Sequence, residues 1–358
     1  MYTDCMDEKT LTPESAIERL VTKSHSVKLP DGLQEKLDEL FSQLRINARS
    51  EDTFWQYYQS INKYVDWCIA LPWFKESQDI LDLDFAREKL NEGHYGLDMV
   101  KDRILEYISV LALQKHRNPD QKLRAPILLF VGLVGTGKTT MAKSISSVLG
   151  RELIRIPFGG LGDPLYLRGQ SRLHPEAEPG AIIRGLATAK TKNPVILLDE
   201  IDRVADDALN TIMGVLVELL DPEQNDRFSD HYIDYPFDLS QSLFVATCNN
   251  TTRIATAVMD RLEPIQMPSY NDEEKIGIGR DYLLPRALKD SGLSSEELII
   301  KDSVWLNVVR PLGFDAGVRT LKRNIEGLCR KAALMILSGK VDHLVVDESN
   351  VKIYMPQW

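Results

Sequence analysis

The sequence predicts an α/β fold with a parallel sheet at its centre, preceded by a helical segment and followed by a small α-helical domain. Three continuous apolar runs carry this prediction, at residues 127–131, 194–198 and 242–247. Strands that are covered on both faces of a parallel sheet show such runs instead of polar alternation. Polar residues follow each run, and open parallel sheets place their ligand chemistry at the carboxyl ends of the strands.

A glycine-rich loop follows the first run directly and reads Gly-Leu-Val-Gly-Thr-Gly-Lys-Thr at residues 132–139. Its glycines allow a tight turn whose N–H groups point at phosphate oxygens, and the N-terminus of the next helix adds a favourable dipole. Lys138 would neutralise the β- and γ-phosphates, the Thr139 hydroxyl would bind Mg²⁺, and Gly150 would end the helix. The residues predicted to contact the nucleoside triphosphate are Gly132, Gly135, Thr136, Gly137, Lys138, Thr139 and Thr140.

Two acidic residues, Asp199 and Glu200, follow the second apolar run. Asp199 would hold Mg²⁺ through water, and Glu200 would polarise the attacking water as a general base. An apolar run that ends in Asp-Glu is equally consistent with a strand leading into an acidic turn, but the upstream loop favours the catalytic interpretation. The sequence therefore predicts hydrolysis as well as binding.

An asparagine pair follows the third apolar run. Asn249 is a candidate for orienting the attacking water against the γ-phosphate, because it stands where a sheet strand meets the ligand crevice. Asn249 and Asn250 together are also a turn signal, and their spacing alone does not separate the two interpretations.

Further short segments accompany these motifs. They are residues 94–97, 100–107, 193–202, 220–225, 228–232, 236–240, 260–261 and 316–319. The Asp-Pro-Glu-Gln-Asn segment at 221–225 and the Phe-Ser-Asp-His-Tyr segment at 228–232 are not general features of phosphate-loop ATPases. With the loop, the segments resemble the ATPase module of Lon proteases, a branch of the AAA+ superfamily. The resemblance runs from about Leu29 to near the C-terminus, and it implies an AAA+ P-loop core with ATP and Mg²⁺ as cofactors.

The resemblance also implies roles for residues outside the loop. Tyr95 and Leu97 lie in a His-Tyr-Gly-Leu segment that lines the adenine pocket in this family. Asn249 matches the residue called sensor 1. Arg261 matches the arginine finger that reaches the γ-phosphate of a neighbouring subunit, so active sites would lie between subunits. Arg319 matches sensor 2 on the lid, where it would report the nucleotide state by closing that domain.

Each of these roles has a simpler alternative. The adenine segment could be a glycine turn before a helix. Arg261 could be a surface arginine paired with Asp260 or Glu263, and Arg319 could be a solvent-exposed arginine in the first turn of a helix.

The segment that grips polypeptide in this family departs from its usual pattern here. His174 and Pro175 replace the Tyr and Val that would press on the polypeptide, while Glu176 and Glu178 add negative charge. A ring of such loops would be more polar and acidic, so gripping apolar side chains by burial should be weaker.

The patterns divide the chain into four parts: an N-terminal extension of uncertain order at 1–28, a helical segment at 29–80, the AAA+ domain at 81–269 and the helical lid at 270–358. Apolar spacing predicts helices between residues 31 and 71. In the lid, it predicts a helix from Thr320 whose apolar side carries Leu321, Ile325, Leu328, Ala332 and Ile336. No segment matches the serine–lysine peptidase domain or the large N-terminal substrate-binding domain of the family, so no peptidase site is expected.

Composition argues against several other classes of protein. A formal net charge of −10 argues against a dominant nucleic-acid interface. The cysteines are scattered without paired spacing, so neither a zinc site nor a disulfide framework is expected. The sequence has no apolar run long enough to span a bilayer and no targeting signal, so no membrane association is expected. The cytoplasm is the default location, with the mitochondrial matrix and the peroxisome left open.

These observations leave three functional hypotheses. In the first, a homo-oligomeric ring, such as a hexamer, hydrolyses ATP-Mg to remodel or unfold a polypeptide substrate for ATP-dependent proteolysis. In the second, the chain is a non-proteolytic regulatory or adaptor subunit that co-assembles with a complete Lon protease, which would account for the altered gripping segment. In the third, it is a truncated Lon relic that retains nucleotide binding without useful mechanical output.

Overall fold

The computed structural model describes residues 12–47, 51–117, 126–174, 176–310 and 317–355. The helices are α1 Pro13–His25, α2 Asp31–Asn47, α3 Glu51–Ala70, α4 Leu83–Gly93, α5 Asp98–Arg117, α6 Lys138–Leu149, α7 Leu165–Arg168, α8 Ala181–Ala189, α9 Leu209–Leu219, α10 Thr256–Met259, α11 Asp272–Ile278, α12 Leu284–Asp290, α13 Trp305–Val309, α14 Arg319–Leu337 and α15 Val351–Tyr354. The strands are β1 Ile127–Val131, β2 Leu153–Pro157, β3 Val195–Asp199, β4 Phe228–Ser229, β5 Pro236–Phe237, β6 Leu243–Cys248, β7 Leu262–Gln266, β8 Leu298–Ile300 and β9 Leu344–Val346.

The first three helices pack against one another as a bundle. Helices α2 and α3 lie where the apolar spacing between residues 31 and 71 predicted helices. Helix α1 lies within the segment for which no element was predicted. It begins with Pro13 after Thr12, whose hydroxyl accepts a backbone N–H of the first turn, and it buries Ile17 and Leu20.

The central sheet is parallel, with the strand order β2-β3-β6-β1-β7. Strands β1, β3 and β6 are buried along their whole lengths, which explains their continuous apolar sequences. The prediction of a parallel α/β core is therefore confirmed, although β3 and β6 each begin one residue later than predicted. Because β6 lies between β3 and β1, the phosphate loop, Asp199 and Asn249 emerge at one edge of the sheet.

Helices cover both faces of this sheet. Leu128 and Phe130 of β1 share an apolar cluster with Met141 and Ile145 of α6. Leu129 points to the opposite face and belongs to a cluster that also contains buried residues of α1, α2 and α3. Burial of each such leucine stabilises the fold by about 2–3 kcal/mol. The N-terminal bundle therefore shares a core with one face of the sheet.

The C-terminal region is mainly helical, as predicted. Helix α14 begins one residue before the predicted Thr320 and buries Leu321, Ile325, Leu328 and Ala332. Strands β8 and β9 pair in parallel within this region. The sequence predicted only helices there, because a strand of three residues is too short to show a reliable period.

Two kinds of feature are absent from the described part of the chain. None of the helices in it is both long and apolar enough to cross a membrane. The same residues include no group of three or more His, Cys, Asp or Glu side chains that could hold a metal ion. Cys68, Cys248 and Cys329 are buried free thiols.

A buried carboxylate fixes the loop between α7 and α8. Asp230 is fully buried and accepts hydrogen bonds from the N–H groups of Gly180 at 2.7 Å, Tyr232 at 2.8 Å and Ile233 at 3.1 Å. Burial raises the pKa of Asp230. Gly169 packs so closely that a Cβ there would lie 2.9 Å from either carboxylate oxygen. The carboxylate therefore joins both ends of this loop to the segment after β4.

We predict that Asp230→Ala lowers the free energy of unfolding by about 2–4 kcal/mol, because it leaves three backbone N–H groups without their acceptor. Urea unfolding followed by circular dichroism measures this loss. Asp238→Ala is the matched control: Asp238 is exposed and accepts one backbone N–H, so its removal should cost less than about 1 kcal/mol. Equal losses in the two variants would contradict the prediction.

Candidate nucleotide-binding and hydrolysis site

The phosphate loop joins the end of β1 to the start of α6. The N–H of Gly132 donates to the last carbonyl of β6 at 3.2 Å, which fixes the start of the loop. Gly135 and Gly137 have φ angles of 85° and 97°, in the left-handed region that favours glycine. Thr136 is fully buried, and its hydroxyl donates to a carbonyl within the loop at 2.9 Å. The backbone thus has the tight curvature that phosphate binding requires.

Hydrogen bonds stabilise both ends of helix α6. The Thr140 hydroxyl donates to the carbonyl of Gly137 at 2.7 Å and thereby stabilises the first turn. At the other end, Gly150 has a φ of 66°, and its N–H donates to the carbonyls of Ser146 and Ser147. The predicted C-cap is confirmed.

Lys138 lies at the centre of the loop and is only 7% exposed. Its ammonium donates to the carbonyls of Gly132 at 2.6 Å and Leu133 at 2.9 Å, and to Oδ1 of Asn249 at 3.0 Å. Burial lowers the pKa of Lys138, and the neighbouring acidic groups oppose this effect. A concentrated positive charge therefore lies beside the free N–H groups at the start of α6, which is the arrangement that binds phosphate.

The side chains of Thr139 and Asp199 meet across the gap between α6 and β3. The Thr139 hydroxyl lies 3.2 Å from Oδ1 and 3.4 Å from Oδ2 of Asp199. Hydroxyl and carboxylate oxygens are the donors that Mg²⁺ prefers, and only one or two from the protein are needed when phosphates and water supply the rest. The donor set therefore fits Mg²⁺ bound together with a nucleotide.

Two further residues contact Asp199, and sequence reasoning missed both. Arg155 of β2 donates from Nε to Oδ2 of Asp199 at 2.8 Å, and the Thr247 hydroxyl donates to Oδ1 at 2.6 Å. Arg155 partly balances the charge of this nearly buried carboxylate. Neither residue belongs to a short motif, so only the pairing of β2 and β6 with β3 could have identified them.

Glu200 follows β3 with an unusual backbone. Its φ is 59°, a left-handed value that is uncommon for a residue with a side chain. The N–H of Glu200 donates to the Thr247 hydroxyl at 2.9 Å, so one hydroxyl links the backbone of Glu200 to the carboxylate of Asp199. The Glu200 side chain is partly exposed, and its Oε2 lies 3.8 Å from Nη1 of Arg203. The Glu200 carboxylate therefore stays accessible near Thr139 and Asp199.

Asn249 and Asn250 take different roles after β6. Oδ1 of Asn249 accepts from Lys138, whereas Oδ1 of Asn250 caps a short turn by accepting the N–H of Thr252 at 2.8 Å. Oδ2 of Asp202 accepts the backbone N–H groups of both asparagines, at 3.1 and 3.2 Å. The turn interpretation thus fits Asn250. Asp202 is a supporting residue that the third acid of the Asp-Glu-Ile-Asp sequence could have indicated.

Asn249 also carries an unused donor. Its Nδ2 is buried and has no hydrogen-bond partner within the described residues. A buried amide without a partner is costly, so this group is suited to donate to a bound ligand. The position next to Lys138 is consistent with the proposed sensor 1 role.

The predicted adenine segment lies beside a cavity of about 580 Å³. Leu97 lines it, together with Gln266 and Pro268, which flank Met267. The carbonyl of Met267 lies against the loop, because a Cβ on Gly132 would be only 2.7 Å from it. Met267, which lies between two residues that line the cavity, therefore contacts the start of the phosphate loop.

Tyr95 is not among the residues described as lining that cavity. Its ring packs edge-on against Tyr282 with centroids 6.2 Å apart, and it lies so near Gly277 that a Cβ there would be 3.1 Å from Tyr95 Cζ. Tyr95 thus contacts the lid, whereas Leu97 faces the cavity.

Arg261 is held by a partner that sequence reasoning did not consider. Its Nη2 donates to Oδ2 of Asp221 at 2.9 Å, and its Nη1 donates to the carbonyl of Ala257 at 2.7 Å. The hydrogen bond from Arg261 lowers the pKa of the Asp221 carboxyl group. The predicted alternative pairs with Asp260 or Glu263 are not among the described contacts of Arg261.

Arg319 begins α14 directly over the phosphate loop. A Cβ built on Gly135 would lie 3.4 Å from Cβ of Arg319, and the N–H of Val318 donates to the carbonyl of Gly135 at 3.1 Å. The structure therefore brings Arg319 together with the loop, although its side chain is exposed. His174, in contrast, is exposed on the loop before α8, and Pro175 lies outside the described residues.

Comparison with known proteins gives two family matches along this chain. The AAA model, described as the ATPase family associated with various cellular activities, matches residues 128–270, and the Lon protease AAA+ ATPase lid domain matches residues 289–345. Lon protease 2 of Thermus thermophilus is 40% identical over 349 residues, covering 96% of this chain and 43% of the relative. Lon protease of Heliobacterium modesticaldum is 43% identical over 295 residues, covering 82% and 36%. The chain thus spans about two fifths of the length of these relatives.

We predict that Gly317→Ala weakens ATP binding by about tenfold, because a Cβ there would lie 2.5 Å from the carbonyl carbon of Gly135 and would push the lid off the loop. Titration with a fluorescent ATP analogue measures the affinity. Gly214→Ala is the control, since its Cβ would meet nothing within 4 Å on helix α9. Equal affinities in the two variants would mean that the lid contact does not support binding.

His94, the first residue of the predicted adenine segment, gives the fold a dependence on pH. It is buried with Nε2 3.0 Å from the Ser144 hydroxyl, and burial lowers the pKa of His94 to about 4, an effect that Lys101 reinforces. Between about pH 6.5 and 4, the unfolded chain therefore binds a proton at this site that the folded chain does not. The free energy of unfolding must fall as the pH falls through this range.

We predict a slope from His94 of up to about 1.4 kcal/mol per pH unit. Urea unfolding at pH 7 and pH 5 should show a larger loss for the unsubstituted protein than for His94→Asn, which cannot titrate. His343→Asn, at an exposed position, should keep the full dependence. An unchanged pH dependence in His94→Asn would rule out this histidine as the cause.

Proposed function

Because the chain belongs to the Lon family of AAA+ ATPases, we propose that it binds ATP and Mg²⁺ and uses hydrolysis to move a polypeptide. We propose further that it works as a homo-oligomeric ring, such as a hexamer, with active sites between subunits. The main support for ATP binding is the cluster of side chains at the edge of the sheet, where Lys138 contacts Asn249 and Thr139 contacts Asp199. The cytoplasm stays the default location.

In the proposed mechanism, the phosphate loop binds and orients the triphosphate. The N–H groups of the loop and the N-terminus of α6 face the phosphate oxygens, and Lys138 balances their charge. Thr139 and Asp199 would hold Mg²⁺, which supplies charge neutralisation on the phosphates when bound. Leu97 would contact the adenine. The reacting phosphoryl group is thereby fixed before chemistry begins.

Glu200 would accept the proton of the attacking water. Its carboxylate is partly exposed, while its backbone is tied through the Thr247 hydroxyl to Asp199. The free Nδ2 donor of Asn249 would orient the water or a γ-phosphate oxygen. Base, metal ligand and amide would thus act from the adjacent ends of β3 and β6.

Arg261 would act on the neighbouring subunit, not on its own. Its described contacts are with Asp221 and Ala257 and do not include the phosphate loop of the same chain. A cation supplied from a second subunit would stabilise the charge that develops on the transferred phosphoryl group. Arg319 would sense the nucleotide within the same subunit, because the lid already meets the loop at Gly135.

The first experiment is steady-state ATP hydrolysis across protein concentration, with and without unfolded casein and with Glu200→Gln as the blank. Turnover that rises with concentration and with casein would support an assembling, polypeptide-moving ATPase. ATP binding without turnover at any concentration would contradict the proposal and would favour a regulatory subunit. Weak turnover that is indifferent to casein and to concentration would favour a relic.

We predict that Arg261→Ala loses hydrolysis and that mixing it with Glu200→Gln restores part of the activity, because some interfaces then combine an intact base with an intact finger. Activity of the mixture relative to each variant alone is the measurement. Arg253→Ala is the matched control, since Arg253 pairs with the exposed Asp206 and should be dispensable. No recovery at any mixing ratio would contradict the action between subunits.

A further inference from the structure

The loop before α8 is held by the N-terminal bundle. We call residues 168–174 and 176–180 the substrate loop, because they form the segment whose family counterpart grips polypeptide. Nζ of Lys63 on α3 donates to the carbonyl of Ala177 at 3.0 Å and lies 3.0 Å from Oε1 of Glu178. One lysine therefore contacts both the backbone and an acidic side chain of the loop.

The next residue of α3 forms a second contact with this loop. The guanidinium of Arg172 lies 3.8 Å from the ring centroid of Tyr64, a cation–π geometry. Tyr64 is fully buried, and its hydroxyl donates to the carbonyl of Ile233 at 2.8 Å, so the ring is a fixed platform. Arg172 and Glu178 are therefore both anchored on the same stretch of α3.

The two ends of the substrate loop are fixed by contacts that do not involve α3. Asp230 accepts the N–H of Gly180, the N–H of Gln170 donates to the carbonyl of Glu178 at 3.1 Å, and the N–H of His231 donates to the carbonyl of Arg168 at 2.7 Å. These bonds close the loop without any residue of α3. The contacts of Lys63 and Tyr64 thus act on the remainder of the loop.

The contacts of Lys63 and Tyr64 affect which side chains of the substrate loop are available to bind a ligand. From the sequence, Glu178 was expected to add negative charge to the gripping surface. Its carboxylate instead forms an ion pair with Lys63 that partly balances its charge, whereas Leu173 is 92% exposed. An exposed leucine at this position supplies apolar surface next to positions 174 and 175, where His and Pro replace the Tyr and Val of the family pattern.

We propose that Lys63 and Tyr64 are positioning residues for polypeptide binding, which hold the substrate loop so that Leu173 contacts apolar side chains of the polypeptide while Glu178 does not face it. The inference rests on the proposed polypeptide-moving function. It deepens that function by coupling the N-terminal bundle to the loop and by giving the loop a preference for apolar segments.

The test measures binding of fluorescein-labelled casein by anisotropy, in a Glu200→Gln background with ATP. Lys63→Glu places two carboxylates together and should weaken casein binding about fivefold, the scale of one exposed ion pair. Glu178→Lys should weaken it similarly, and the double variant Lys63→Glu, Glu178→Lys should restore binding to within about twofold. With Glu200 intact, basal ATP hydrolysis should stay unchanged in these variants.

Two controls separate position from general charge and surface effects. Lys23→Glu makes the same charge change within the N-terminal bundle, where Lys23 pairs with Asp66, and it should leave casein binding unchanged. Leu173→Ala should weaken binding, whereas Leu337→Ala should not, although Leu337 is 88% exposed on α14. Loss without recovery in the charge-swapped variant, or equal effects of the two leucine variants, would overturn the inference.

If casein does not bind at all, that outcome would count against the proposed function. A second measurement then tests whether Lys63 and Tyr64 hold the substrate loop. The Arg172–Tyr64 contact should slow trypsin cleavage after Arg172. Mass spectrometry should show faster cleavage there in Lys63→Glu and a normal rate in the charge-swapped variant. Equal cleavage rates in all variants would overturn the anchoring, whether or not casein binds.

Discussion

Lys138 keeps its ammonium at a position that is 7% exposed, and a buried cation is unstable unless oxygen atoms surround it. The phosphate loop supplies two carbonyls, but the third acceptor is Asn249, which follows β6. Asn249 is within reach only because β6 lies directly beside β1 in the sheet. The strand order is therefore a condition for the charged site as well as a means of burying apolar side chains.

The same constraint extends to the acidic side of the site. Asp202 fixes the backbone after β6 by accepting the N–H of Asn249, and Thr247 of β6 bonds both to the Asp199 carboxylate and to the N–H of Glu200. A shift of β6 relative to its neighbours would therefore move the acceptor of Lys138, the Asp199 carboxylate and the backbone of Glu200 together. Such cross-strand bonds fix the geometry of a site more firmly than packing alone.

The parts of the fold that could be predicted are those that local sequence encodes. Fully buried strands produce continuous apolar runs, and the left-handed turns at Gly135 and Gly137 require glycine. The core strands and the phosphate loop could therefore be predicted from the sequence. The pairs Arg155–Asp199 and Arg261–Asp221 were not, because a long charged side chain can reach several partners. Which partner it meets depends on how elements some 40 residues apart along the chain are packed.

Glu178 illustrates how a residue's charge and its effect can differ. A carboxylate added to a loop makes a ligand surface acidic only if no cation of the same chain reaches it first. Lys63 does reach it, and helix α3, which carries this lysine, shares an apolar core with one face of the sheet. Departures from a family pattern are therefore best judged with the neighbouring element in place, because the substituted residue and its partner together determine what the loop presents.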